Sequence, residues 1–156
     1  MDILVRATTL ADRDLLVGFN QAMAQESEGR ALDGAILRRG VAAVLADAAR
    51  GRYLVAEREG LPLGCLMITR EWSDWRDAWI WWIQSVWVQP EARRQGVYRA
   101  LHLEVQARAA RAGDVHTLRL YVERENSAAQ RTYASVGMSP SRYLLYAQAL
   151  VPGTDD

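Results

Sequence analysis

Lysine is absent from the chain, and all 19 basic side chains are arginine. Anion contacts therefore fall to guanidinium groups and backbone N–H, and the protein offers no lysine of its own for modification. Cysteine occurs once, at Cys65, which excludes an internal disulfide and a multi-thiolate zinc site and favours a reducing compartment. Cys65 itself reads as a small core residue in a strand. Neither His102 nor His116 lies near a paired carboxylate or cysteine in sequence, so no metal is expected, and His102 reads as a surface position on a helix. Excess charge is missing too: 19 acidic groups balance the 19 arginines, so nothing draws the chain onto nucleic acid or an anionic membrane. No run approaches the roughly 20 apolar residues that a membrane-spanning helix needs. The opening residues 1–6 read as a strand rather than a leader, and cytoplasmic residence is the expectation.

What is present fits a globular protein, with 50% apolar and 24% charged residues over 156 positions. That length suits one domain, expected over residues 1–150, with a disordered tail at 151–156. Residues 3–6 read as a strand, after which Thr9 or Asp12 caps a helix carrying Leu15, Leu16, Phe19 and Met23 at helical spacing. A polar turn at 25–30, holding Glu26 and Glu28, precedes a second helix at 33–50. Strands at 53–57 and 63–70 join through Glu59-Gly60, and a loop at 71–77 leads to the most apolar strand, 79–88.

All six tryptophans fall between positions 72 and 87. Strand alternation sends Trp79, Trp81, Ile83, Ser85 and Trp87 one way and Ile80, Trp82, Gln84, Val86 and Val88 the other. Both faces are apolar, which marks a central strand. A helix at 94–112, a strand at 117–122, a helix at 127–136 and a last strand at 142–149 complete the order β-α-α-β-β-β-α-β-α-β. Periodicity alone makes this an α/β domain around one sheet.

Two segments carry chemistry. After Val88, Pro90 ends the strand, and Arg93, Arg94, Gln95, Gly96, Val97, Tyr98 and Arg99 open the next helix. Backbone N–H groups at such a start bind anions, and the glycine admits close approach. Further on, Asn126 can cap a helix that places Ala129 and Tyr133 on one face and stops at Gly137.

Together these segments resemble the acyl-CoA-binding core of the GCN5-related N-acetyltransferases, whose loop reads Arg/Gln-x-x-Gly-x-Gly/Ala. Tyr98 departs from the small residue usual at the last place. The element order matches that family along nearly the whole chain, which implies a mixed, largely antiparallel sheet flanked by about four helices and splayed between its fourth and fifth strands. The resemblance implies acetyl-CoA as donor, no metal, and direct transfer to a primary amine in a ternary complex. It implies that the backbone of Val86, Trp87 and Val88 pairs with pantetheine, that the loop from Arg93 to Arg99 wraps the pyrophosphate, that Asn126 also bonds the pantetheine arm, and that Tyr133 protonates the leaving thiolate.

Many relatives carry a glutamate near the position of Gln84, and an amide cannot take a proton from an ammonium group. Gln84 is therefore expected to hydrogen-bond substrate or an ordered water, while Glu26, Glu28 or Asp74 binds a cationic amine and drains its proton through water. Trp72 and Trp75, flanking Asp74, can wall the acceptor pocket, and the tryptophan cluster serves the core and a homodimer contact. With no charged arm, the expected acceptor is a small molecule. The alternatives are a peptide N-terminus as acceptor, a non-catalytic acyl-CoA-sensing domain, and an interaction module binding through its tryptophans.

Overall fold

The computed structural model describes residues 2–151. The chain forms two compact units, Met1–Tyr121 and Val122–Asp156. In the first, strand β1 spans Leu4–Ala7. The Arg6 guanidinium bonds both carboxylate oxygens of Asp12 (3.0 and 2.9 Å) and Glu57 (2.9 Å). Asp12 also accepts from the Thr9 N–H at 2.8 Å and so fixes the turn into helix α1, Arg13–Glu28. The polar turn expected at 25–30 is instead the last turn of α1, because nothing before Gly29 resists a helix. Gly29, at φ 63°, takes the left-handed cap that stops it.

Helix α2, Gly34–Ala46, starts where the Asp33 side chain accepts from the N–H groups of Ala35 and Ile36, both at 2.9 Å. It ends short of the expected residue 50. Asp47 turns extended and accepts from the Ala49 N–H instead.

Strands β2 (Arg52–Arg58) and β3 (Leu61–Ser73) are joined by Glu59 and Gly60, both at positive φ as a tight hairpin turn requires. Strand β4 (Ala78–Val88), helix α3 (Val97–Ala112) and strand β5 (Val115–Leu120) follow. The sheet order is β1-β2-β3-β4-β5, antiparallel except for the parallel pair β4–β5. This is the mixed, largely antiparallel α/β architecture expected. β3 runs on through Ser73 and pairs Trp72 with Trp79, so the loop expected at 71–77 shrinks to a short turn.

Each face of the sheet has its own core. On one, Leu54, Leu66, Ile68, Trp81 and Ile83 pack under Val97, Leu101 and Val105 of α3. On the other, Tyr53, Val55, Cys65 and Trp87 pack under Leu16 and Phe19 of α1 and Val41 of α2. Burial pushes the Cys65 thiol up to about 12, which leaves it an inert core group. His102, expected on the surface, is only 1% exposed. It lies one turn beyond Tyr98 on α3, and both side chains turn inward.

The second unit contains helix α4, Ser127–Ser135. The strand expected at 142–149 does not form. Tyr143, Leu144, Leu145 and Tyr146 make a continuous apolar run without the alternation of a half-buried strand. They are exposed, and none of the described strands pairs with them. Val151 lies in a bend, and the rest of the expected tail falls outside the described residues. No helix among the described residues is long and apolar enough to cross a membrane.

Candidate active site

The site in the first unit is built on an irregularity of β4. Between the pairs Met67↔Gln84 and Cys65↔Trp87, β3 contributes one residue, Leu66, where β4 contributes Ser85 and Val86. Ser85 sits at φ 49°, so this is a β-bulge, and it reverses the inward and outward alternation beyond it. Val86 and Val88 join Trp81 and Ile83 on the α3 side while Trp87 crosses to the α1 side, which corrects the regular alternation read from sequence. A buried polar group sits against the bulge. Asn20 donates to the Tyr53 hydroxyl at 3.4 Å. The last pair between β4 and β5 is Ile83↔Leu120. Beyond it, among the described strands, β4 runs on to Val88 beside β3 alone, as an open edge. Gly64 allows the close β3–β4 approach there: a Cβ on it would lie 2.4 Å from the Trp87 carbonyl oxygen.

From this edge the chain passes through a single 3-10 turn, Pro90–Ala92, into α3. Arg94 (φ 62°) and Gly96 (φ 82°) are both left-handed, a loop geometry that gathers successive N–H groups toward one side. The first bond of α3 runs from the Ala100 N–H to the Gly96 oxygen at 2.9 Å. The amides of Val97 and Arg99 ahead of it therefore have no acceptor inside the helix. A Cβ on Gly96 would meet nothing within 4 Å, so space beside the loop is open.

The loop is braced from three sides. Arg58 donates to the Gln95 side-chain oxygen at 2.9 Å, Gln95 donates to the Glu91 carbonyl at 2.7 Å, and Arg93 holds the Val88 carbonyl at 3.1 Å. Arg58 Nε is buried with no hydrogen-bond partner among the described residues. Open amides, an orphaned guanidinium nitrogen and free space beside a left-handed glycine fit a phosphate-bearing ligand.

Tyr98 does not obstruct this loop. Its side chain is 7% exposed and its hydroxyl lies 3.3 Å from His102 Nδ1, so its bulk is on the packed side of α3. Burial lowers the His102 pKa and keeps that imidazole neutral.

In the second unit, Asn126 caps α4 by accepting from the Ala129 N–H at 3.0 Å. Two further bonds, Gly137 N–H to Ala134 O (3.0 Å) and Met138 N–H to Tyr133 O (3.1 Å), close the helix with Gly137 at φ 90°. Tyr133 is half-buried, and burial raises its pKa, so the phenol keeps its proton across the neutral range.

The acceptor-side residues do not all converge. Gln84 lies on the α1 face of β4, paired with Met67, and its Nε2 donates to Thr69 Oγ1 at 2.6 Å, which leaves the amide oxygen for a ligand. Glu26 is 2.8 Å from Arg93, and Glu28 pairs with Arg30. Trp72, Asp74 and Trp75 sit at the β3–β4 turn, roughly 20 Å along β4 from Gln84 at the usual rise per residue. Asp74 accepts from the Trp75 N–H, Trp75 is 91% exposed, and Trp72 packs edge-on against Trp79. That turn and Gln84 therefore stand at different places along β4. The sequence reading passed over Glu71, which on β3 bonds the Trp82 indole N–H at 2.6 Å on the same face as Gln84. Its place among residues 71–77, whose sequence has the polarity of a loop, hides the alternation that the longer β3 imposes.

The sequence pattern of the Acetyltransferase (GNAT) family matches residues 16–138. Among solved structures, a possible acetyltransferase from Clostridium difficile is 36% identical, with 96% of this chain and 98% of that one covered at a TM-score of 0.89. A predicted acetyltransferase from Clostridium acetobutylicum, solved with acetyl-CoA, covers 94% of this chain and 96% of its own at 16% identity and a TM-score of 0.75. A ribosomal-protein-alanine N-acetyltransferase from Brucella melitensis covers 96% and 100% at 16% identity and 0.76. The last two likenesses are of fold alone. No curated protein matches the sequence.

Proposed function

The chain belongs to the acetyltransferase (GNAT) family, and from that premise we propose that it transfers an acetyl group from acetyl-CoA to the primary amine of a small molecule, both bound at once. The observation that carries this reading is the bulged, open end of β4 leading directly into the left-handed loop and exposed amides of α3. Acetyl-CoA supplies the acyl group as an activated thioester. The amides of Val97 and Arg99, with Arg94 and Arg58, hold its phosphates, and Gly96 keeps the approach clear. The main chain of Val86 and Trp87 offers edge hydrogen bonds to an extended arm.

Arg93 is a positioning residue, since its guanidinium is committed to Val88, the Trp87 ring and Glu26. In this reading the Gln84 oxygen accepts from the amine, and Glu26 and Glu28, in the last turn of α1 with their charges balanced by Arg93 and Arg30, receive its proton by way of water. Tyr133 holds a proton for the departing sulfur, and burial keeps its phenol protonated across the neutral range. Asn126 keeps its side-chain NH₂ for the arm while its oxygen caps α4. The zero net charge supports a small acceptor over a charged macromolecule. The test is incubation with acetyl-CoA and a panel of small amines and peptides, followed by mass spectrometry. Acetylated small amines are expected; acetylation confined to peptide N-termini, or no acetylated product, would overturn the acceptor class or the activity respectively.

A further inference from the structure

The unit Met1–Tyr121 contains a cavity of about 470 Å³ at the opposite end of α3 from the phosphate-binding loop. Arg108 and Arg111 reach it from the last turns of the helix, roughly 20 Å from Val97 at the helical rise per residue. Leu54, Ile68, Trp79 and Trp81 form an apolar floor on one face of the sheet, and Arg52 and Arg70 stand on the same face of β2 and β3. None of these residues takes part in the site described above.

Two independent features define what the cavity fits. The first is charge. Glu104 shares its carboxylate between Arg108 (2.8 Å) and Arg111 (3.2 Å), and Asp114 also lines the space. Arg52 and Arg70 have no ion pair among the described residues, and Arg70 stacks over the Trp79 ring at 4.8 Å. Four guanidinium groups thus face two carboxylates. The helix end adds about half a negative charge, too little to cancel that excess. The second feature is an apolar wall. The Trp79 and Trp81 side chains line the space beside Ile68, so an anion that carries an apolar body is matched better than a bare one.

We propose that this cavity is a second small-molecule site, for an organic carboxylate with a compact apolar body. The carboxylate lies between Arg52 and Arg70, and the body packs on Trp79 and the exposed edge of Trp81. Inorganic phosphate matches the charge but has nothing to set against the indoles and aliphatic side chains.

The six tryptophans supply six indole N–H signals in a ¹H–¹⁵N NMR spectrum, and the one missing in Trp81→Phe reports this site. Titration with phenylacetate is expected to move that signal, while inorganic phosphate leaves it in place. Arg52→Gln and Arg70→Gln should each weaken phenylacetate binding at least about tenfold, the scale of a lost charge-assisted hydrogen bond. Phenyl phosphate serves as the third probe, and tighter binding of it than of phenylacetate would overturn the carboxylate assignment. An unmoved Trp81 signal, or phenylacetate affinity unchanged in both arginine variants, would overturn the site. Should Trp81→Phe fail to fold, calorimetric titration of the two arginine variants decides the matter alone. Acetyl transfer need not be measured, so failure here is separate from failure of the proposed activity.

Discussion

Arg93 Nη2 lies 2.8 Å from Glu26 Oε2, joining the loop before α3 to the last turn of α1. The same guanidinium holds the Val88 carbonyl and lies 5.0 Å from the centre of the Trp87 ring. One side chain thus ties the end of β4, the start of the loop before α3 and α1 together. Glu26 is 53% exposed, and an exposed pair contributes at most about 1 kcal/mol. Glu26→Gln should therefore raise the KM for acetyl-CoA by less than about fivefold. Arg93→Ala, which also frees the Val88 carbonyl and uncovers Trp87, should raise it about tenfold or more. Initial-rate kinetics on both variants check the order; equal effects would mean that the ion pair alone positions the loop.

Tyr133→Phe should lower kcat by about 10²-fold while the affinity for acetyl-CoA stays within a few-fold, since only the proton donor is lost. Because burial raises the phenol's pKa, the wild-type rate should show no loss attributable to this group until the pH exceeds the ordinary tyrosine value of about 10. A pH–rate profile of the two proteins with stopped-flow detection of coenzyme A tests this, and wild-type turnover in the phenylalanine variant would make Tyr133 purely structural.

Gly64→Ala should destabilise the fold by about 1–3 kcal/mol. Its Cβ would lie 2.4 Å from the Trp87 carbonyl oxygen and 3.1 Å from the Val88 Cα, both backbone atoms that cannot move without shifting β4. Urea denaturation measures the loss. Acetyl-CoA binding should weaken with it, because the displaced strand is the one proposed to hold the pantetheine arm.

Asp12 is held below the usual carboxylate range, chiefly by its hydrogen bond from Arg6. A depressed folded-state pKa contributes stability that is complete above the unfolded value of about 3.9 and is lost as pH falls through the folded value. Asp12→Asn should therefore cost about 1–2 kcal/mol at neutral pH and flatten the acid side of the stability curve. Thermal unfolding from pH 7 down to about pH 2 reads both effects; an unchanged acid slope would place the pH sensitivity on other carboxylates.

Sequence patterns located those elements whose signals are local. Asp33 and Asn126 cap their helices as such residues do, Gly137 closes α4, and Glu59-Gly60 turns its hairpin. The bulge was not legible, since Ser85 and Val86 look like ordinary strand residues and their two-against-one pairing depends on a neighbouring strand. That one extra residue also moved Val86, Trp87 and Val88 to faces opposite those that strict alternation assigns. Glu26 was found as a candidate, but its partner is 67 positions away and only the fold reveals it. Trp72 and Trp75 read as acceptor walls because they flank Asp74, and the length of strand between that turn and Gln84 is visible only in the fold. The burial of His102 is not legible in the sequence because its inward partner, Tyr98, stands in the loop motif that opens α3.

The central claim is acetyl transfer from a donor held at the α3 loop, and coenzyme A release measured against an amine panel in wild-type and Gly96→Pro protein tests it most directly. Gly96 stands at φ 82°, which proline, fixed near −65°, cannot adopt, and the substitution also removes an N–H from the loop. Amine-dependent release by the wild type, abolished in a Gly96→Pro variant whose circular dichroism is unchanged, is the predicted result. Release at the wild-type rate in that folded variant, or none from the wild type with any amine, would contradict the account.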